Sequence, residues 1–238
     1  MNRFLLIMIF SLTGVLIATT GHTASICTII NNLKSGDPVI VENSCKRLGL
    51  VRGTLGLSKV QVLHPQLAKR SNSLLIIALS WESPRDGYLI LMDSKADVLA
   101  QQRVGYIKSL TLRPLQSEGD DKVVIDVITG TGTGMREDQF LIFSITNVGF
   151  SKLWAGLSYK KSFPGQLSPE SNYEVKGSLR FDDLNEDGVE EIIHTTKRKR
   201  YFYDSNLNKL IPLKSQKRTE VYELKEEKYL FLREDMDT

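Results

Sequence analysis

Histidine and cysteine are both scarce in this chain of 238 residues, which holds three of the first and two of the second. Two cysteines cannot build a disulfide-dense scaffold, and Cys27 and Cys45 stand too far apart for a C-x-x-C redox or metal pair. No G-x-S-x-G, H-E-x-x-H or C-x-x-C-H motif occurs, so no local enzyme signature is present. Serine, histidine and aspartate all exist, but nothing in their spacing assembles a triad. Charge of one sign is also lacking. The formal net charge is +3, from 31 basic and 28 acidic residues, which gives no general mandate for nucleic acid or an anionic membrane.

Long apolar runs are confined to one place. Phe4 to Ala18 is almost wholly apolar, follows the short basic start Asn2-Arg3 and precedes the small, mostly polar Thr19 to Ala24. It is shorter than the roughly 20 residues that span a bilayer, and the pattern is that of a secretory signal peptide over residues 1–24. Cleavage is expected after Ala24, with Gly21 as the rival. Ala24-Ser25-Ile26 lacks the small residue a lipoprotein signal places before its cysteine, so a soluble exported protein is expected, periplasmic or extracellular. No transmembrane span is expected after cleavage. In an oxidising compartment an isolated pair such as Cys27 and Cys45 is expected to form a disulfide, worth about 3 kcal/mol in the chain-entropy model.

What the chain has in abundance is short β-branched segments. Leu74 to Leu79, Tyr88 to Met92, Val123 to Ile128, Gln139 to Ile145 and Glu191 to Thr195 are apolar or alternating and are bounded by Gly, Asp, Asn, Ser and Pro. Only Asn43 to Val51 suggests a short helix. The strands also repeat. Ser178 to Phe181, the loop through Gly188 and Ile192-Ile193 align without a gap on Ser109 to Leu112, Gly119 and Val123-Val124. A further step back reaches Val60 to Leu63, Pro65 (opposite Pro114) and Leu74-Leu75. Each unit reads strand, loop, strand, loop, strand, turn, strand. The expected fold is therefore all-β: a propeller-like array of three to four four-stranded antiparallel meanders in one domain, residues 25–238, with a β-sandwich as the alternative. The tail Thr219 to Arg233 reads as a hairpin turning near Lys225 to Glu227.

One loop carries a ligand pattern. Asp183, Asn185 and Asp187 alternate, Gly188 allows a sharp turn, Val189 offers a backbone carbonyl and Glu191 a closing carboxylate. Calcium takes six to eight oxygen ligands, and this spacing offers most of them. Six of the ten residues Asp182 to Glu191 are acidic, a density that repels itself unless a cation sits among the carboxylates. An EF-hand is excluded, because loop position 12 is His194 and both flanks are strands. The segment Ser178 to His194 resembles the calcium loop of FG-GAP and VCBS repeats, the β-propeller blades of integrin-like and bacterial surface proteins. That resemblance implies one structural Ca²⁺ on Asp183, Asn185, Asp187, Val189 and Glu191. Glu191 departs mildly from the commoner final Asp. The equivalent loops at Pro114 to Asp121 and Pro65 to Ser73 have lost the ligands, so one ion is expected.

Three further features stand out in the sequence. Thr129-Gly130-Thr131-Gly132-Thr133-Gly134 matches no phosphate-loop spacing and reads as a loop between two strands. Lys197-Arg198-Lys199-Arg200 alternates, placing Lys197 and Lys199 on one face and the arginines on the other. It reads as an exposed edge or hairpin, with contact to an anionic envelope polymer as the alternative. His194, Trp81 and Trp154 read as packing residues. The function expected is non-catalytic: a binding or scaffolding protein whose partner is a protein or envelope component, and not nucleic acid. The alternatives are an envelope-polymer hydrolase or other secreted enzyme, and an accessory subunit of a larger complex.

Overall fold

The computed structural model describes residues 25–50, 56–67, 74–83, 86–116, 119–146, 149–164 and 172–237. The leader, its cleavage sites and Val51 lie outside the described residues. Two short helices come first, α1 (Ile26–Lys34) and α2 (Pro38–Arg47). Twelve strands follow: β1 (Leu57–Leu63), β2 (Leu75–Trp81), β3 (Gly87–Met92), β4 (Val98–Arg103), β5 (Tyr106–Pro114) and β6 (Asp121–Gly132), then β7 (Met135–Thr146), β8 (Gly149–Ser162), β9 (Asn172–Asp182), β10 (Glu191–Asp204), β11 (Lys209–Lys225) and β12 (Lys228–Asp237). The protein is predominantly β. Its strands form a four-stranded sheet, β1-β2-β3-β4, and an eight-stranded sheet, β12-β11-β10-β9-β8-β7-β6-β5, antiparallel throughout.

The helices differ from the expected one. Asp37 accepts from the backbone N–H groups of Val39 and Ile40, and Pro38 occupies the first turn, so α2 starts earlier than Asn43. Ser25 caps α1 through the N–H of Thr28. Ile29 and Leu33 of α1 and Val41 and Cys45 of α2 bury themselves against Leu75, Ile77, Leu79, Trp81, Ile90 and Met92 on one face of the first sheet. The other face of that sheet, through Leu74, Ile76, Ala78, Leu89 and Leu91, packs on Ile107, Val123, Ile125, Val127 and Phe143 of the second. With both faces covered, β2 is buried along its whole length, which is why its sequence shows no polar alternation.

The eight-stranded sheet folds back on itself. β8 and β9 pair over only four residues, from Tyr159↔Lys176 to Ser162↔Tyr173. Beyond that point the two halves diverge, and Leu115, Ile142, Leu153, Trp154, Ile192 and Tyr229 fill the gap between them. A Cβ on Gly177, where the strands begin to part, would lie 2.0 Å from the Leu157 carbonyl oxygen, so only glycine permits the approach. The layers are thus helices, β1–β4, β5–β8 and β9–β12. Each sheet layer is a four-stranded meander; in the last, the segments read from sequence as a second and a third strand are one strand, β10, and the tail hairpin supplies β12. The β11–β12 turn is at Glu226 and Glu227, both with positive φ, as a two-residue hairpin of this hand requires.

One expectation is corrected. Thr129 to Gly134 is not a loop: β6 runs through Gly132 and pairs with β7 up to Gly132↔Met135. Both cysteines are free in the structure: Ile29 and Leu33 turn inward, so Cys27, about 200° around α1 from Ile29, faces solvent while Cys45 is buried against the sheet.

Two outcomes follow from this packing. Ile125→Ala should lower stability by about 3 kcal/mol, seen as a lower urea midpoint at unchanged slope, whereas Leu99→Ala should change it by less than about 0.5 kcal/mol. Burial, with the Glu42 carboxylate adding to it, pushes the Cys45 thiol up to about 11. A thiol reagent near neutral pH should therefore modify Cys27 at once and Cys45 only on unfolding. Finding no reactive thiol until a reductant is added would instead restore the disulfide.

Candidate functional site

The predicted calcium loop is a tight, self-bonded turn between β9 and β10. Asp183 Oδ1 and Asn185 Oδ1 both accept from the Asp187 N–H at 3.1 Å, which sets these two oxygens side by side. Asp183 Oδ2 accepts from Gly188 N–H at 2.9 Å, and Asp187 Oδ1 from Val189 N–H at 2.8 Å. The Asn185 amide donates to Asp187 Oδ2 at 3.1 Å. Glu191 is almost fully buried and accepts from Leu184 N–H at 2.7 Å. Glu186 and Gly188 take positive φ, which turns the chain around these carboxylates. Asp183, Asn185 and Asp187 are thus brought together, while Glu191 closes the base of the loop. Among the described residues no three acidic, histidine or cysteine side chains converge. The all-oxygen donor set fits a hard cation, since each carboxylate oxygen spent on a backbone N–H keeps a second lone pair.

The same loop docks on the β5–β6 loop. Glu190 N–H donates to the Leu115 carbonyl at 2.9 Å, and Gln116 and Val189 form an antiparallel bridge. Arg113 grips Glu190 through two hydrogen bonds of 2.9 and 2.6 Å and lies over the Phe181 ring. The Tyr229 hydroxyl donates to the Glu190 carbonyl at 2.9 Å, and burial, with the Glu190 and Glu191 charges, pushes its ionisation upward. A cleft of about 420 Å³ opens beside this junction, lined by Gln116, Asp120, Lys122, Val189, Glu226 and Glu227 among others.

A second constellation lies where β8 and β9 part, and sequence reasoning missed it. Lys108 bridges Asp126 at 2.6 Å and Asp138 at 3.0 Å, Arg136 clamps Asp138 at 2.8 and 2.7 Å, and Ser158 Oγ donates to Asp126 at 2.6 Å. These groups line a shallow cleft of about 340 Å³. Burial pushes the Asp138 carboxyl up, but the hydrogen bonds from Arg136 and Lys108 outweigh it and hold the group below the usual range. Burial pulls Lys108 down, and its two carboxylates more than reverse that. The amine is therefore kept charged and is unsuited to act as a base or nucleophile near neutral pH. The signal for this cluster was present as a lone acid, Asp126, inside Val123 to Ile128; its partners sit on three other strands, which spacing cannot show.

His194 is buried. Its Nε2 is 2.8 Å from the Leu157 carbonyl, which faces β9 just past the last β8–β9 pair, and its Nδ1 is 3.2 Å from Glu220. Both ring nitrogens are engaged, and Trp154 packs edge-on against the ring. The residue stitches the two halves of the sheet where backbone pairing ends. The basic run corrects another expectation. β10 pairs along the whole run with β9, and with β11 on its other side, so Lys197 to Arg200 stand on an interior strand and not on an edge. A scan against models of known protein families matches none of them, and a search of curated proteins finds no match either. The FG-GAP and VCBS resemblance therefore rests on the loop residues alone.

Asp138→Asn should cost about 3 kcal/mol, because it leaves Lys108 and Arg136 short of a buried counter-charge. The cluster also sets a pH window. Asp138, depressed in the fold, stabilises above the ordinary carboxyl value of 3.8 and stops doing so as pH falls through its lower folded value. Lys108, raised in the fold, stabilises below 10.5 and stops as pH rises through its higher folded value. A stability plateau between about pH 4 and pH 10 is expected in the wild type. The acid limb should be shallower in Asp138→Asn, as read by thermal melts across pH.

Proposed function

We propose that the protein is an exported, non-catalytic binding or scaffolding module of propeller-like architecture, with one structural Ca²⁺ and a protein or envelope component as partner. The observation that carries this reading is strand β12. It ends the eight-stranded sheet, and among the described residues no strand pairs with its outer edge. Leu230, Phe231 and Leu232 are each about half exposed, at 50, 55 and 51%. Alternation puts them on both faces of the strand. A long open edge bearing apolar side chains invites an added strand or another surface, and folds that do not use such an edge usually blunt it. The three stacked meanders support the propeller-like reading, since blades of a propeller likewise pack face to face.

The ion would be held by the side chains of Asp183, Asn185, Asp187 and Glu191 and by the Val189 carbonyl. When bound it would neutralise the acidic loop. The chain's own contribution is the turn that gathers the oxygens and the Arg113–Glu190 clasp that fixes the loop against the next meander.

Binding to the native state at a hundredfold excess over Kd adds about 2.7 kcal/mol, or roughly 5–10 °C in a protein of this size. Millimolar Ca²⁺ should raise the melting temperature by that amount relative to chelator, and Asp187→Ala should abolish the rise; no shift in the wild type would sink the metal assignment. For the partner, immobilised wild-type protein should retain an envelope component that Phe231→Glu does not. Equal retention by both, or release of polymer fragments by the pure protein, would overturn the reading, the second in favour of the secreted hydrolase.

A further inference from the structure

Lys197 sits directly opposite Lys176 on β9 and directly opposite Lys217 on β11. Residues directly opposite in antiparallel strands share one face, so three lysines stand in a row across adjacent strands about 4.8 Å apart. Two residues further along, the next row on that face holds Lys161, Glu174 and Lys199. From β8 to β12 these two rows hold five lysines against two acids, Glu174 and Asp237, for a local charge of 5 − 2 = +3. Among the described residues, neither Lys197 nor Lys199 makes an ion pair, and both are exposed.

Like charges placed directly opposite one another destabilise a sheet. Edge protection does not account for them, because β10 is paired on both sides. The reverse face of the same strands shows the contrast. There Lys160 pairs with Glu137 at 2.9 Å, Arg218 with Glu220 at 2.7 Å and with Glu234 at 2.8 Å, and Arg198 lies over the Tyr173 ring. On that face Lys160, Arg198 and Arg218 are answered by the protein; on the open face Lys176 pairs with Glu174 at 3.5 Å and Lys217 with Asp237 at 2.8 Å, and among the described residues Lys161, Lys197 and Lys199 have no carboxylate partner. The open face also carries rings beside the lysines: Tyr159 opposite Lys176, and Phe163 packed edge-on against Tyr201 with Lys161 above it.

We infer that the outer face of β8–β11 around Lys197 and Lys199 binds a linear anionic polysaccharide. Repeated carboxylate or sulfate groups complement rows of point charges, and aromatic rings offer sugar rings an apolar platform. The arginine in line with these rows, Arg136 opposite Lys161, has its guanidinium fork spent on Asp138, so the free charges are lysines; that favours a glycan over nucleic acid, because phosphate recognition draws on the bidentate guanidinium fork. This deepens the reading of the protein as a binding module and rests on it; the surface is separate from the β12 edge.

The test measures binding of the full mature protein to dextran sulfate, polygalacturonate, neutral dextran and single-stranded DNA at ~50 mM salt, where exposed charges are screened over only ~14 Å. Lys197→Glu/Lys199→Glu is compared with Arg198→Glu/Arg200→Glu from the opposite face, each checked for an unchanged melt. The expected result is binding of both anionic glycans but not neutral dextran. That binding should be weakened at least tenfold in the lysine variant, less than threefold in the arginine variant, and should fall with added salt. Lys197→Gln/Lys199→Gln should give a smaller loss in the same direction. No glycan binding, or equal loss in the two double variants, overturns the inference. Tighter binding of DNA than of either glycan overturns it in favour of nucleic acid. Glycan binding that obeys the lysine pattern while the polymer is shortened, or while Phe231→Glu retains its partner, upholds this face and sinks the non-catalytic or β12 reading instead.

Discussion

The fold depends on the meander β5–β8 being buried on both faces. Its odd-numbered β6 residues, Val123, Ile125 and Val127, meet the first sheet, and Val124 faces the third meander with Phe140 and Ile142 of β7. Neither neighbouring meander could cover its own apolar face without this layer. The helices have the same relation to β1–β4, which would otherwise expose Ile77, Leu79 and Ile90. Stacking of this kind makes each layer the solvent-excluding lid of the next, and the hydrophobic contribution scales with the area so covered.

Apolar stacking alone does not fix how the third meander sits on the second. Polar contacts do that at both ends of the cleft. At one end Arg113, Leu115 and Gln116 clasp Glu190 and Val189; at the other, His194 reaches the Leu157 carbonyl where strand pairing has stopped. Gly177 lets the backbones come close enough for the split to begin. Beside that split, the Lys108–Asp126–Asp138–Arg136 cluster places charge in a half-buried wall with every charge answered. Such a cluster specifies the register of three strands at a desolvation cost, so its members are expected to respond to mutation as a unit.

Much of the architecture was legible before any coordinates. Strand positions followed from β-branched runs bounded by turn formers, and the first two four-stranded units read from sequence coincide with β1–β4 and β5–β8, whereas in the third the expected second and third strands are one long strand, β10. The hairpin at Glu226 and Glu227 was legible from its turn position. α1 was not, because nine residues containing three isoleucines carry strand-like composition, and only the Ser25 cap and the burial of Ile29 and Leu33 resolve it as a helix. The glycine-alternating stretch was misread for a related reason: glycine weakens a strand locally, but Arg136, Glu137 and Asp138 across the hairpin hold it in register. The ligand pattern at Asp183 to Glu191 was visible as a motif, whereas its docking on the β5–β6 loop was not.

The sequence by itself determined the strand content, the first two meanders, the acidic loop and the alternation that separates Lys197 and Lys199 from Arg198 and Arg200. Those properties are local, set by period, composition and turn chemistry. Only the tertiary structure decided that β10 is an interior strand, that Lys176 and Lys217 flank Lys197, that Asp138 is neutralised from two other positions, and that β12 is left as an open edge. Each of these depends on which strands become neighbours, and neighbours far apart in the chain are selected by the packing of whole faces, which no stretch of sequence carries alone.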